Sequence, residues 1–294
     1  MRINLSTSHI VYEPHMRTRA TRLLAAFSAL ATFGLAAYLA MDALSTPSPW
    51  RDRVVRVGYS SEPPYAFRRP DGKVAGESPT VARAVLTRMG IQNVRWVLMD
   101  FGALIPALES GAIDLIATGM FVTPEREQRI DFSLPTSAVG QGLLVRTGNP
   151  RRLHSYEDVA GNPEVVAAVL TGAVEQAYLE RLGTPGRRLL LVPDAGTGLA
   201  AVRFGRADCL ALSAPTVRYL ALESGSGLEA AAPFTDPAIP GTAIPSLCAM
   251  GFRKDDRRFR AAFNKDLAAY LGSPEHLAAV QPFGFGPNTI PHAP

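Results

Sequence analysis

Short apolar runs alternate with helix-patterned stretches twice over in this chain, and that alternation leaves few folds open. Val54–Tyr59 reads as a strand, and residues 79–89 as a helix with Val81, Ala82, Val85, Leu86 and Met89 on one face. Residues 94–98 are the next strand, 101–110 a helix broken at Gly111, and 114–118 another strand. This β-α-β-α-β order implies a parallel sheet covered by helices. Residues 141–146 read as a longer strand leaving this first lobe. A second set repeats the order, with strands at 165–170, 189–192 and 208–212 and helices at 172–182, 198–204 and 214–222. A strand at 246–252 and a helix at 256–271 then return to the first lobe. The pattern alone gives two α/β lobes.

Composition limits what such lobes do. The chain has 294 residues, a length that favours about two domains. It is 47% hydrophobic and 19% charged, so it can bury a sizeable core and is not of the disordered class. The formal net charge is +4, and about half of that excess falls before Thr46, where Arg2, Arg17, Arg19 and Arg22 outnumber Glu13 and Asp42. The rest is close to neutral and has no basic stripe with interleaved aromatics, which argues against nucleic acid as a partner. The five His are scattered without metal-ligand spacing, and neither a metal nor another cofactor is expected. Cys209 lies in a strand-like apolar run and reads as a buried free thiol. Sequence does not fix its distance from Cys248, so pairing of the two stays open.

The N-terminus reads as a targeting element over residues 1–45. Arg17, Arg19 and Arg22 precede an apolar stretch at 23–40, followed by small residues and prolines at 43–49. Basic flank, apolar core and small-residue exit are the layout of a secretory signal, with Ala43 and Ser45 as the small pair before cleavage. The stretch is long for a signal and borderline for a span. An uncleaved anchor, with the Arg cluster in the cytoplasm and the body outside, therefore stays open. No Cys follows the apolar stretch, so the usual lipoprotein anchor is not expected. Met16 is an alternative start, because the first fifteen residues add nothing a signal needs. Either way the body is expected to be periplasmic or otherwise extracytoplasmic.

Four loops beyond strand ends carry side chains with chemistry, where ligands of α/β sheets bind. In residues 60–65, Ser-Ser-Glu-Pro-Pro-Tyr, Glu62 supplies a carboxylate and Tyr65 a ring, and the prolines stiffen the loop. Asp100 and Phe101 open a helix. Residues 119–133, Gly-Met-Phe-Val-Thr-Pro-Glu-Arg-Glu-Gln-Arg-Ile-Asp-Phe-Ser, follow a strand, which puts Phe121, Thr123 and Arg126 in a loop. The Arg126 guanidinium is a planar fork suited to a carboxylate. In residues 171–175, Thr171, Gly172 and Glu175 lie where a strand meets a helix N-terminus, whose free N–H groups favour an anion. Each has a plainer alternative. Tyr65, Phe101 and Phe121 can be core, Glu62 a solvated charge, Arg126 a surface Arg capping a helix, and Glu175 first-turn charge compensation. A nucleophile–base pair and a phosphate loop are both missing, so an enzyme is not expected.

Residues 119–133 resemble the signature of the extracellular solute-binding proteins of polar amino-acid ABC importers. The similarity is narrower still. Glu62-Pro-Pro-Tyr65, Phe101-Gly-Ala-Leu-Ile-Pro106, Gly119-Met-Phe-Val-Thr-Pro-Glu-Arg126, Leu153-His-Ser-Tyr-Glu-Asp158, Gly172-Ala-Val-Glu175 and Pro282-Phe-Gly-Phe285 all look like the ectoine/hydroxyectoine-binding members, over about residues 54–285. The resemblance implies a two-lobed periplasmic binding protein fold of type II, the Venus-flytrap arrangement, with two hinge crossings. Lobe 1 would be 46–145 with 246–294, and lobe 2 would be 146–245. It also implies a monomer that docks on a membrane permease. By matching motif, Tyr65, Phe101 and Phe121 would box the ligand ring, Glu62 would meet its ring nitrogens, and Arg126 would hold its carboxylate. Tyr65 stands where Phe is also found, which keeps the ring face and adds a hydroxyl. Amino-acid binders of the broad family carry an Asp for the α-ammonium group at the position of Ser213. Its replacement here favours a ligand with a different cation. A flat delocalised amidinium is well served by aromatic faces, each worth up to about 2 kcal/mol when desolvated. Other small zwitterions, including proline, glycine betaine and polar amino acids, remain alternatives. A dehydratase with Glu62 or Glu175 as its acid, and a sensor lobe, follow behind; a sensor would need a signalling domain, and none is read up to Pro294.

Overall fold

The computed structural model describes residues 49–291 except Ser224, Ser226 and Ala243, so the segment read as a signal or anchor lies outside the described residues. The chain first lays down β1 (Val54–Tyr59), a hairpin of β2 (Phe67–Arg68) and β3 (Val74–Ala75), α1 (Glu77–Arg88), β4 (Asn93–Leu98), α2 (Leu104–Glu109) and β5 (Leu115–Phe121). α3 (Pro124–Arg129), β6 (Asp131–Phe132) and β7 (Ser137–Val139) follow. The next stretch is β8 (Gln141–Arg146), α4 (Tyr156–Gly161), β9 (Ala167–Leu170), α5 (Val174–Arg181), β10 (Leu189–Val192), α6 (Ala195–Arg203), β11 (Cys209–Ser213), α7 (Ala214–Glu223) and β12 (Leu228–Ala230). β13 (Ser246–Phe252), α8 (Arg257–Tyr270) and α9 (Pro274–Val280) come last.

These elements form two lobes, each built on its own sheet. In the first, β1 pairs in parallel with β4 and β5, and β13 lies antiparallel beside β5 with β6 and β7 as its short partners. The second runs β10-β9-β11-β8-β12, parallel between β9 and its two neighbours and antiparallel on both sides of β8. The chain crosses between the sheets twice, at Gly140 and over residues 231–245. β8, read as a strand leaving the first lobe, is a full member of the second sheet, where Leu144 pairs with Leu210 and with Ala230. Alternation along the chain reveals a strand but not its partner.

Burial explains which strands are central. Every residue of β9 and β11 is buried, as expected for strands covered on both faces. Each fully buried aliphatic side chain contributes about 1.5–3 kcal/mol. One polar device recurs in both lobes. Asp114, just before β5, accepts from the Arg56 backbone N–H at 3.0 Å and from Arg56 Nε at 2.9 Å, which ties β5 to β1. Asp208, just before β11, accepts from the Val166 N–H at 3.0 Å and pairs with Arg146 and Arg151. Burial alone would push both carboxyls up, but these hydrogen bonds more than offset it and hold them below the usual carboxylate range. Cys209 and Cys248 are both buried free thiols. Among the described residues no helix is long and apolar enough to cross a membrane.

Candidate ligand-binding site

The polar residues between the sheets are set by three strand ends of the first lobe and two of the second. After β1, Ser60 N–H donates to Thr118 Oγ1 at 3.1 Å, and a turn closed by Tyr65 N–H to the Glu62 carbonyl at 2.9 Å aims Glu62 inward. β5 runs on through Phe121, three residues past the expected strand end, because β13 pairs with it at Cys248↔Phe121 and Ala249↔Met120. Phe121 is therefore a strand residue and not a loop residue. Thr123 then caps α3, its Oγ1 accepting from the Arg126 N–H at 3.2 Å, with Pro124 at the first helical position. Arg126 is buried and folds back on the strand end. Its Nη1 donates to the Phe121 carbonyl at 2.7 Å, its Nη2 to the Gly172 carbonyl at 3.1 Å, and its guanidinium lies 5.4 Å from the Phe101 ring centroid.

Six of the ten expected residues, Glu62, Phe101, Phe121, Arg126, Glu175 and Ser213, line one cavity between the lobes. The other four do not line it. Tyr65 is 1% exposed, with its ring under Gly119 and 5.1 Å from Phe285, edge to face. Thr123 is the helix cap. Thr171 is exposed, and Gly172 contributes its carbonyl to Arg126. Two of the N–H groups expected there to attract an anion are already engaged: Gly172 N–H donates to Gln176 Oε1 at 3.0 Å, and Glu175 receives its own backbone N–H. Glu175 is thus both a first-turn charge and a cavity wall.

Sequence reasoning missed Gly119, Ala173, Val174 and Leu212, which complete the lining, and Thr216 behind it. Thr216 Oγ1 donates to Glu62 Oε1 at 3.0 Å and accepts from Ser213 Oγ at 3.2 Å, which links the lobes through the carboxylate. A Gly inside an apolar strand was the available sign of a close approach at 119. Thr216, three residues past Ser213 in the first turn of α7, carried no comparable signal.

The enclosed space is about 10 Å³, the room one water molecule needs. A ring-sized solute does not fit in this space as it stands. The lobes are joined across it by the Arg126–Gly172 and Glu62–Thr216 hydrogen bonds and a 3.4 Å bond from the Phe101 N–H to the Pro193 carbonyl. These are polar contacts that a ligand can replace.

Two carboxyls face one guanidinium in this space. Burial, and then the charge of Glu175, push Glu62 up to about 8, against the Thr216 hydrogen bond and Arg126. Burial likewise pushes Glu175 up to about 7. Burial pulls Arg126 down, opposed by the Glu175 and Glu62 charges. Both carboxyls are raised from an ordinary 4.5, so over about pH 4.5 to 8 the folded protein holds protons that the unfolded chain has lost. Stability therefore falls as pH rises through that window. Without added ligand, the melting midpoint is expected to drop by about 5 °C more between pH 5 and 8 in the parent protein than in Glu175→Gln. Parallel pH profiles for the two would rule out this linkage.

A two-lobed α/β body with a charged, aromatic cavity between its sheets is the architecture of solute-binding proteins. The chain belongs to the bacterial extracellular solute-binding proteins, family 3, whose model matches residues 55–282. It is 36% identical over 242 residues, 82% of this chain and 80% of the relative, to a probable amino-acid ABC transporter periplasmic-binding protein of Sinorhizobium fredii. It is 28% identical over 239 residues, 79% of this chain and 88% of the relative, to the L-arginine-binding protein of Pseudomonas aeruginosa. Among solved structures it is similar to EhuB in complex with hydroxyectoine, with TM-score 0.72 and 32% identity over 79% of this chain and 89% of that one.

Proposed function

We propose that this chain is the solute-binding component of an ABC importer, closing its two lobes on ectoine or hydroxyectoine and delivering it to a membrane permease. The reading includes export by the N-terminal segment and work as a monomer outside the cytoplasm. It rests most on one observation: Arg126 and Glu62 share a small cavity with Phe101 and Phe121, while the strand end at Ser213 carries no acid. A carboxylate suits the guanidinium fork, and a flat delocalised cation suits Glu62 between aromatic faces. The likeness to EhuB with hydroxyectoine supports the same ligand class.

Glu175 favours a second reading. Two carboxylates against one guanidinium suit a solute with net positive charge, such as a cationic amino acid, and the L-arginine-binding relative fits that chemistry. Titration calorimetry with ectoine, hydroxyectoine, arginine, glutamine, proline and glycine betaine separates the two. Micromolar or tighter binding of the ectoines alone is expected. Heat with arginine and none with ectoine would keep the transport reading and replace the ligand. Binding without turnover is part of the proposal, so ectoine is expected to be recovered unchanged after prolonged incubation; conversion of a cyclic acid would favour a dehydratase instead.

A further inference from the structure

A larger hollow, about 810 Å³, lies between the β2–β3 hairpin, α1 and the edge strand β4, and it shares no lining residue with the ligand cavity. Four of its lining residues are cations, Arg68, Arg69, Lys73 and Arg83, and none is an acid. Two of the guanidiniums are held by groups other than carboxylates. Arg68 Nε donates to the Gly72 carbonyl at 3.0 Å, Arg83 Nη2 donates to the Val74 carbonyl at 3.1 Å, and the Arg83 guanidinium lies 5.1 Å from the Trp96 ring centroid. Among the described residues the one acid in an ion pair with the group is Asp71, 3.8 Å from Lys73 Nζ, with both side chains largely exposed. Such an exposed contact is weak and screened by solvent, and it leaves most of the cluster's charge uncompensated. Partial burial pulls Arg83 down from its ordinary value, with no neighbouring carboxylate to restore it.

The hairpin turn fixes the backbone that carries three of the cations. Gly72 N–H donates to the Arg69 carbonyl at 2.9 Å, Lys73 N–H donates to Asp71 Oδ1 at 3.0 Å, and Gly72 takes φ +82°. A fixed turn keeps the Cα positions of Arg68, Arg69 and Lys73 together, so an anion orders their side chains but not the backbone that carries them.

We infer that this hollow is a second binding site, for a small phosphate-bearing anion. Phosphate oxygens accept in parallel from guanidinium forks and from an ammonium as a point charge. A monocarboxylate supplies one charge against four.

Titration of the purified protein with inorganic pyrophosphate at constant ionic strength is expected to give saturable one-to-one binding. That binding should weaken at least tenfold in the double variant Arg69→Gln, Lys73→Gln, whose exposed side chains leave the fold and melting midpoint unchanged. It should persist in Arg126→Ala; loss there would assign the anion to the cavity between the lobes and overturn the inference. Phosphatidylglycerol vesicles present the same group from a membrane. Co-sedimentation with them that disappears in the double variant, without pyrophosphate binding, supports the phosphate chemistry and makes a lipid headgroup its source. Weak binding of both probes, equal in parent and double variant and declining with salt alone, overturns it.

Discussion

Arg126→Ala is expected to abolish binding of the carboxylate solute while leaving the protein folded. In the structure the guanidinium is buried in the cavity, held at the Phe121 and Gly172 carbonyls and backed by the Phe101 ring. Its removal would leave a ligand carboxylate buried without a partner, a loss of about 3–5 kcal/mol, or roughly a hundred- to several-thousand-fold in affinity. Arg126→Lys is expected to recover only part of this, since an ammonium is a point charge and not a fork. Calorimetry with ectoine, or with whichever solute of the panel binds, reads the effect directly, and circular dichroism checks the fold. An alanine variant within threefold of the parent's affinity would remove Arg126 from the site.

Gly119→Ala is expected to cost much of the protein's stability. Gly119 takes φ +69°, and a Cβ there would lie 2.3 Å from the Tyr65 ring, which cannot retreat because it is buried against Phe285. Left-handed backbone strain and overpacking together cost about 3 kcal/mol, which lowers the melting midpoint by roughly 6–12 °C. Gly148→Ala is the control. Gly148 takes φ +80° with nothing within 4 Å of its added Cβ, so it suffers the strain alone. Equal destabilisation by the two substitutions in a calorimetric melt would show that the Tyr65 contact contributes nothing. A Gly119→Ala protein that still folds should also bind solute less well, because Gly119 lines the cavity.

Most of the architecture was legible in the residues. Asp114 and Asp208 mark the starts of the two central strands, and the apolar runs behind them fall on β5 and β11. Arg126 and Glu62 stood out because each places a charge in a loop just past a strand end, within motifs that resemble those of the family. Less visible was anything that depends on a partner strand. β5 runs on to Phe121 because of β13, more than a hundred residues later in the chain. The two-residue strands of the β2–β3 hairpin went unread although Pro70, Asp71 and Gly72 spell out its turn, because such strands carry no periodicity.

The sequence by itself determined the two α/β lobes, the family, and the residue types that could clamp a charged solute. Those follow from local periodicity and from motifs, which are written in consecutive residues. Only the tertiary structure decided which of them share a cavity. It put the Tyr65 ring behind Gly119, engaged two N–H groups near Gly172 with Gln176 and Glu175, and set Thr216 against Glu62 across the lobes. It also brought Glu175 beside Glu62, which makes the charge of the site a property of the closed pair. Distance and desolvation between residues far apart in the chain decide such matters, and no local pattern encodes them.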